Sequence, residues 1–210
     1  MIKNIIFDFG GVILGIDYQK TVDAFKALGV ANFDELYSQH QQNHLFDLLE
    51  TGKIEPENFI SELQKDLPPK VTPKEIEDAW NALLLSYPRN RIDYIQKING
   101  DFPLFLLSNT NAIHEKYFSE RLEQEHPDVN WELLFDQIYY SHEVGMRKPN
   151  AEIFELVLRE QGLDPTETLF IDDTLQHIEG AKNVGLQTHH LQKEEEIDEV
   201  LPRILAELNQ

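Results

Sequence analysis

Hydrophobic positions divide much of the chain into short apolar runs that alternate with longer stretches of helical spacing. The apolar runs are rich in β-branched and aromatic residues and end at glycine or polar residues, which predicts buried strands over 2–8, 102–107, 137–141, 168–171 and 187–190. Helical spacing predicts helices over 112–125, 151–161 and 175–183 and a last helix that ends near 208. Strands that are apolar on both faces and alternate with helices indicate a parallel sheet covered on both sides.

The stretch from residue 17 to residue 86 has a different pattern. Apolar residues such as Val22, Phe25 and Leu28 recur at helical spacing, and turn residues such as Gly52 separate the segments. A helical block of this length after the first strand cannot belong to the sheet. We therefore expect a doubly wound α/β core formed by residues 1–16 and 87–210, with a small all-helical cap formed by residues 17–86 inserted into it.

Polar residues follow four of the predicted strands at the points where the strands end. In an open parallel sheet the carboxyl ends of the strands lie at one edge, which is where ligands bind. The sequence therefore predicts one cleft that contains the residues at these strand ends, namely Asp8, Ser108, Asn109, Lys148, Asp172 and Asp173.

The predicted cleft combines carboxylates with a hydroxyl group and an ammonium group. Three converging carboxylates raise one another's pKa, and a hard divalent cation with oxygen ligands relieves their repulsion. Magnesium is the natural cation for such a site. A phosphate could then bridge to the metal while Lys148 and Ser108 neutralise and position its oxygens, which leaves a carboxylate to attack in line.

Composition limits the partners of such a site. The chain has 18 basic and 38 acidic residues and a net charge of -20, which repels the phosphate backbone of nucleic acids. The absence of cysteine excludes a disulfide, a thiol nucleophile and a cysteine-bearing metal site. No apolar run is long enough to span a bilayer and no signal-peptide pattern is present, so we expect a cytoplasmic protein without membrane partners. No pattern predicts an oligomeric state.

Four ordered motifs extend the argument from chemistry to family. The segments FDFGGV at 7–12, LSNTN at 107–111, GMRKP at 145–149 and FIDD at 170–173 resemble those of haloacid dehalogenase superfamily hydrolases, and they span nearly the whole chain. The helical insert is similar to the small cap of subfamily I. The residues of the third and fourth motifs most resemble those of the branch that contains α-D-glucose-1-phosphate phosphatases. The resemblance implies a Rossmann-like core and hydrolysis of a small phosphorylated metabolite.

The resemblance also implies a role for each residue of the cleft. Asp8 would be the nucleophile that forms an aspartyl-phosphate, and it would also bind magnesium. Ser108 and Asn109 would hold the phosphoryl group, and Lys148 would balance the charge. The catalytic set is therefore Asp8, Ser108 and Lys148, and the substrate-binding set is Ser108, Asn109 and Lys148.

The implied metal site uses positions on two of the motifs. Asp8 would be one ligand, and residue 10 would contribute its backbone carbonyl, which a glycine can do as well as any other residue. Asp172 or Asp173 would complete the set of ligands, and both are kept as candidates.

One position departs from the family pattern. Typical phosphatases of the superfamily carry a second Asp two residues after the nucleophile, which acts as the acid for the leaving group, and this chain has Gly10 there. An anomeric hydroxyl is a more acidic leaving group than an ordinary alcohol, which favours a sugar 1-phosphate such as α-D-glucose 1-phosphate. Asp17 is either a substitute acid or the N-cap of a helix that begins at Tyr18.

Two other functions are compatible with Gly10. A metal-free 2-haloacid dehalogenase also has glycine at this position, but its branch lacks the acidic pair of Asp172 and Asp173, and an uncompensated carboxylate cluster is unfavourable. A phosphosugar-binding protein that has lost turnover would retain the same pocket. The complete set of carboxylates favours the phosphatase.

Overall fold

The computed structural model describes residues 1–30, 33 and 44–208. Within these residues a parallel sheet of five strands has the order β3-β2-β1-β4-β5. Its strands are β1 (Asn4–Phe7), β2 (Leu104–Ser108), β3 (Gln137–Tyr140), β4 (Thr168–Asp172) and β5 (Gln187–His190). All five lie where the apolar runs predict them, within a few residues, and the doubly wound α/β fold is confirmed.

Helices connect the strands and also form the inserted stretch. In that stretch the described helices are α1 (Tyr18–Ala27), α2 (His44–Glu50), α3 (Pro56–Gln64) and α4 (Pro73–Asn81). The remaining helices are α5 (Arg89–Ile98), α6 (Ala112–Glu125), α7 (Ser141–Val144), α8 (Ala151–Gln161), α9 (Leu175–Asn183) and α10 (Ile197–Leu208). The short helix α7 occupies a position that the sequence predicts as a loop. Residues 31–32 and 34–43 of the predicted cap lie outside the described residues.

Both faces of the sheet are buried, as expected for parallel strands between helices. Ile5 and Phe7 on β1 pack on one side, in an apolar cluster that also contains Leu201 of α10. Ile6, which points to the opposite face, packs in a second cluster with Phe154 of α8. Because β1 is central, with β2 on one side and β4 on the other, the carboxyl end of β1 lies where the connections diverge, which is the usual position of a ligand crevice.

The inserted helices have an apolar core of their own. Phe25, Phe46, Phe59 and Trp80 belong to one buried cluster, and the rings of Phe46 and Trp80 are stacked with centroids 5.2 Å apart. The sequence left two interpretations for Trp80 and Phe46, a lining of the space under the cap or a core, with the core favoured; both are buried, and Trp80 also lines a cavity. Ile113 of α6 joins this cluster, so α6 packs directly against the insert.

The chain enters and leaves the insert through two adjacent segments. The backbone N–H of Gly15 donates to the carbonyl of Ser86 at 3.1 Å, and that of Leu85 donates to the carbonyl of Gly15 at 2.8 Å. The N–H of Asp17 donates to the carbonyl of Leu83 at 2.9 Å. These hydrogen bonds hold the start of α1 against the segment that follows α4. Among the described residues, none of the helices has the length and apolar character that a bilayer crossing requires.

Candidate active site

Three charged side chains meet at the carboxyl edge of the sheet. Asp8 follows β1, Asp172 ends β4, and Lys148 lies in the loop between α7 and α8. The Lys148 Nζ atom donates to Asp8 Oδ1 and to Asp172 Oδ2, both at 2.7 Å, and to the carbonyl of Leu107 at 2.8 Å. Since Lys148 and Asp172 have no exposed surface, their charges are compensated by neighbouring protein groups and not by water. The structure therefore brings these predicted site residues together.

Asn109 fixes the backbone that carries Lys148. Its Oδ1 accepts from the backbone N–H of Lys148, and its Nδ2 donates to the carbonyl of the same residue, both at 2.9 Å. Both ends of the carboxamide are therefore engaged with one residue. The side chain positions Lys148, and the direct contact of Asn109 with a phosphoryl group stays a prediction. Ser108 is buried at the end of β2 and lines the same cavity as Asp8.

The charges of this cluster shift several pKa values. Burial and the repulsion of Asp172 raise the pKa of Asp8 to about 6, although Lys148 opposes the shift. Burial alone would lower the pKa of Lys148, but the attraction of Asp172 and Asp8 outweighs it and the pKa is raised. Burial would raise the pKa of Asp172, but Lys148 and His177 lower it. The ammonium group is therefore shared by the two carboxylates.

Asp173 adds a third carboxylate that Lys148 does not bond. Its partly enclosed position, together with the repulsion of Asp8 and Asp172, raises its pKa to about 7. One oxygen from each of the three carboxylates can be chosen so that all lie within 4.8 Å of one another. Oxygen donors at this spacing fit a hard divalent cation, whose charge would remove the repulsion that raises these pKa values.

The loop after β1 approaches this cluster closely. Gly11 has a φ of 81°, and a Cβ atom at this position would collide with the carboxylate of Asp173. Glycine is therefore needed at residue 11 for both conformation and space. Gly10, the predicted carbonyl ligand, lines the cavity and has no left-handed backbone.

The two candidate metal ligands differ in their other contacts. Asp172 accepts from Lys148, from the backbone N–H of Thr174 at 2.7 Å, and lies 3.0 Å from Nδ1 of His177. Asp173 is exposed at the mouth of the cavity, and its side chain accepts a hydrogen bond from the Thr174 hydroxyl at 3.2 Å. Sequence reasoning missed His177. Its position in the first turn of α9, just after the acidic pair, was the available signal.

The cavity beside this cluster has a volume of about 110 Å³. The sheet edge supplies Asp8, Ser108 and Asp173 to its wall, and the inserted stretch supplies Tyr18 and Trp80. Typical pockets for drug-sized ligands measure roughly 300–1,000 Å³. A cavity of this size, next to carboxylates and an ammonium group, fits a phosphate group with a short carbon skeleton.

Asp17 does not face this cavity as an acid would. Its carboxylate is the N-cap of α1 and accepts from the backbone N–H of Gln19 at 3.0 Å, so the N-cap interpretation is confirmed. The next residue, Tyr18, lines the cavity instead. Burial of its hydroxyl and the nearby charges of Asp173 and Asp8 raise the pKa of Tyr18, which keeps the hydroxyl protonated. No motif in the sequence singled out Tyr18.

Arg147 links the third motif to the inserted helices. Its guanidinium group pairs with Asp47 and with Glu50, whose Oε2 lies 3.1 Å from Nη2. Arg147 and Glu50 also line the cavity. The ion pairs therefore hold α2 over the loop that carries Lys148. The sequence analysis assigned no role to Arg147.

Comparisons with known proteins agree with this geometry. A family model described as haloacid dehalogenase-like hydrolase matches residues 2–185. The D-ribitol-5-phosphate phosphatase of Bacteroides thetaiotaomicron is 35% identical over 90% of this chain and 91% of its own length. The sesquiterpene phosphatase astK of Aspergillus oryzae is 30% identical over 90% of this chain and 89% of its own length.

Solved structures include one of high similarity over the whole fold. A haloacid dehalogenase family enzyme of Bacteroides thetaiotaomicron, crystallised as a single-site variant with magnesium and inorganic phosphate, has a TM-score of 0.90 and 32% sequence identity. The match covers 96% of this chain and 99% of that enzyme.

Proposed function

The chain belongs to the haloacid dehalogenase-like hydrolases, and from this premise we propose that it is a magnesium-dependent phosphatase of a small sugar or polyol phosphate. The observation that supports this most strongly is the ammonium group of Lys148 between Asp8 and Asp172, with Asp173 beside them. Two similar enzymes are named phosphatases, and the solved neighbour contains magnesium and phosphate. The cytoplasm, where phosphorylated metabolites are retained, is the proposed compartment.

Asp8 is the proposed nucleophile. With a pKa of about 6 it is mostly ionised at neutral pH, and Lys148 holds one of its oxygens at 2.7 Å. A carboxylate oxygen forms a bond to phosphorus while the bond from phosphorus to the ester oxygen breaks, and the departing alkoxide takes up a proton. Water then attacks the phosphorus of the aspartyl-phosphate, which releases inorganic phosphate and restores Asp8. Ser108 and Lys148 hold and neutralise the phosphoryl oxygens in this proposal.

Asp8, Asp173 and the carbonyl of Gly10 are the proposed magnesium ligands. Asp173 is favoured over Asp172 because Asp172 already accepts hydrogen bonds from Lys148 and from the backbone of Thr174. Asp172 then serves to hold Lys148. Bound magnesium supplies positive charge that polarises the phosphoryl group. The raised pKa values of Asp8 and Asp173 reflect the negative charge that this cation compensates.

The substrate is proposed from the cavity and the leaving group. A volume of about 110 Å³ suits a short hydroxylated skeleton better than the fifteen carbons of a sesquiterpene. Gly10 offers no acid and Asp17 caps a helix, so an acidic leaving group such as the anomeric oxygen of α-D-glucose 1-phosphate is favoured on chemical grounds. D-ribitol 5-phosphate, named for a relative, has a more basic primary alcohol as its leaving group.

A phosphate-release screen tests the proposal. The protein would be assayed with α-D-glucose 1-phosphate, glucose 6-phosphate and D-ribitol 5-phosphate, with magnesium and with excess chelator. We expect turnover that requires magnesium and that falls at least ~10³-fold in Asp8→Asn, because the amide keeps the shape but removes the nucleophile. Equal turnover of all three phosphates would contradict the leaving-group argument.

The same screen separates the two alternatives. Binding of these phosphates without turnover would support a phosphosugar-binding protein. Halide release from a 2-haloacid in excess chelator would support a dehalogenase. The carboxylate cluster argues against the second result, because without a cation Asp8 and Asp172 share the Lys148 ammonium group and the nearby Asp173 carboxylate adds further negative charge.

A further inference from the structure

A histidine outside the catalytic cluster spans the junction between the core and the inserted helices. His114 lies in the first turn of α6, and its ring stacks on Trp80 of α4 with centroids 5.2 Å apart and an angle of 7° between the planes. Trp80 in turn stacks on Phe46. The imidazole is therefore held flat against an aromatic surface that belongs to the insert, and it also forms part of the cavity wall.

The protonation of this ring follows from its contacts. His114 Nδ1 lies 2.8 Å from Asn81 Oδ1, and a carbonyl oxygen only accepts, so Nδ1 carries the proton. Burial lowers the pKa of His114 to about 3, so the ring is neutral in the working pH range. The remaining nitrogen, Nε2, therefore has a lone pair and can only accept a hydrogen bond.

The Nε2 atom keeps some accessible surface, in a residue that lines the cavity. Among the described residues, no group donates a hydrogen bond to Nε2 of His114. The polar atoms that lack both a partner and accessible surface do not include this nitrogen, so it is accessible. The residue itself is 92% buried and forms part of the cavity wall. Its neighbours in that wall include Leu83, Leu84 and the indole of Trp80. An acceptor in largely apolar surroundings favours a ligand that brings a donor to it.

We propose that His114 is a specificity-determining residue whose Nε2 accepts a hydrogen bond from a hydroxyl group on the carbon skeleton of the substrate. The proposal rests on the proposed phosphatase function and names the class of substrate, a hydroxylated phosphate ester rather than an alkyl or terpenoid one. Asn81 fixes the tautomer and Trp80 fixes the plane of the ring. An ester without hydroxyl groups would leave the acceptor without a partner once water is displaced, which disfavours it.

A pair of substrates of equal chain length tests the proposal. D-ribitol 5-phosphate and n-pentyl phosphate both have five carbons and a primary alcohol as leaving group, so they differ in the hydroxyl groups alone. The quantity to measure is the ratio of their kcat/KM values at saturating magnesium. We expect the protein to favour D-ribitol 5-phosphate by about tenfold or more, the factor expected for one hydrogen bond to the substrate.

Two substitutions at the same position separate recognition from packing. An Asn side chain places its amide near the position of Nδ1, and a Gln side chain places it near Nε2. His114→Asn should therefore keep the contact with Asn81 but lose the preference for the hydroxylated substrate. His114→Gln should retain the hydrogen bond to the substrate, which accounts for about tenfold of the preference. We therefore expect its ratio of kcat/KM values to stay within about threefold of that of the unmodified protein. If His114→Asn does not fold, His114→Phe can replace it. The Phe ring still packs on Trp80 but cannot accept a hydrogen bond, so the preference for the hydroxylated substrate should again be lost.

His126 provides the matched control. It is a buried histidine at the other end of α6, its Nε2 lies 3.0 Å from the carbonyl of Tyr87, and it is not part of the cavity wall. His126→Asn should leave the substrate ratio unchanged, whatever its effect on stability.

Three results would overturn the proposal. The first is a ratio that is unchanged in His114→Asn, and the second is an equal loss in His114→Asn and His114→Gln, which indicates packing alone. The third is the absence of any preference in the unmodified protein. Release of phosphate from either ester would then still support the phosphatase function, whereas failure of every phosphate ester with magnesium would refute that function itself.

Discussion

The charged rim, formed by Asp8, Lys148, Asp172 and Asp173, and the junction, formed by Trp80, Asn81 and His114, differ in character although both reach the same cavity. Asp8 and Asp173 line it from the rim, and Trp80 and His114 line it from the junction. At the rim, Lys148, Asp8 and Asp172 are buried, and Lys148 pairs with each of the two carboxylates at 2.7 Å. At the junction, the rings are neutral and stacked, and one acceptor faces the cavity. The difference teaches that the two regions suit different tasks: in our proposal the rim holds charge in place for chemistry, and the junction discriminates between carbon skeletons.

The two regions also differ in what a single substitution removes. Lys148, Asp8 and Asp172 balance one another, so the loss of Lys148 leaves buried charge without a partner. A residue of the junction contributes a contact to the ligand and packing to its neighbours. We therefore expect substitutions in the rim to change stability, metal binding and turnover together, and substitutions in the junction to change substrate preference.

Lys148→Met has the largest expected effect. The substitution keeps much of the volume but removes the ammonium group that Asp8 and Asp172 share. We expect the metal-free protein to lose roughly 3–5 kcal/mol of stability, as for other buried ion pairs that lose one partner, together with its turnover. Urea unfolding and phosphate release measure the two effects.

An exposed lysine is the control for this prediction. Lys182 pairs with Glu179 at 3.5 Å, and both side chains are more than half exposed. Lys182→Met should change stability by less than about 1 kcal/mol, as for surface ion pairs in general. A similar change in the two variants would show that the rim is not held together by its charges.

Asp173→Asn and Asp172→Asn should separate the metal ligand from the residue that holds Lys148. We expect Asp173→Asn to raise the magnesium concentration needed for half-maximal turnover by about tenfold or more, the range seen when support for a metal is removed. Asp172→Asn should mainly lower the stability of the metal-free protein, since Asp172 is fully buried beside Lys148. Titrations of turnover with magnesium measure the requirement. The opposite order would make Asp172 the direct ligand.

Magnesium should stabilise the protein more at about pH 8 than at about pH 5. In the folded metal-free protein the pKa values of Asp8 and Asp173 are raised to about 6 and about 7, so the folded state retains protons that the unfolded chain releases. The contribution of these two groups to the stability of the metal-free protein therefore falls as the pH rises from about 4 to about 7. Magnesium compensates the charges that appear above this range, whereas at lower pH it must displace protons.

Thermal unfolding at both pH values, with magnesium and with sodium chloride of equal ionic strength, measures this difference. An equal shift in Tm at the two pH values would show that the ion does not bind at these carboxylates. The rim would then be stabilised by Lys148 alone.

Asp17→Asn has the smallest expected effect. Asn is as good an N-cap as Asp, and the Asp17 carboxylate accepts a backbone hydrogen bond at the start of α1. We expect a change in stability of less than about 0.5 kcal/mol and an unchanged ratio of turnover for glucose 1-phosphate and glucose 6-phosphate. Asp17→Ala, which removes the cap, should lower the stability by about 1 kcal/mol. A change in the turnover ratio would support the alternative interpretation, in which Asp17 is the acid for the leaving group.

Much of the rim could be predicted because its residues follow strands, and a strand can be recognised from a short run of apolar residues in the sequence. The runs at Asn4–Phe7, Leu104–Ser108 and Thr168–Asp172 are buried on both faces, and parallel strands bring their carboxyl ends together. The position of Lys148 could be predicted for the same reason, although its loop contains the short helix Ser141–Val144. That helix is too short for the apolar spacing to indicate it.

The junction could not be predicted, because its contacts join residues that are distant in sequence. His114 and Asn81 are 33 positions apart, and nothing in the spacing of either residue indicates the other. Asn109 was assigned to the phosphoryl group, yet its carboxamide holds the backbone of Lys148, 39 positions away. The side chain that one residue contacts depends on how the loops and the insert pack on the sheet.

The sequence by itself determined the parallel α/β core, the helical character of the insert and the set of charged residues at the sheet edge. These features follow from local periodicity and from the rule that places strand ends together. Only the tertiary structure decided that Asp17 caps a helix, that Tyr18 and His114 face the cavity, and that Lys148 lies between two carboxylates. The physical reason is that side-chain direction, burial and charge compensation arise from packing between segments, and the pattern within one segment does not contain them.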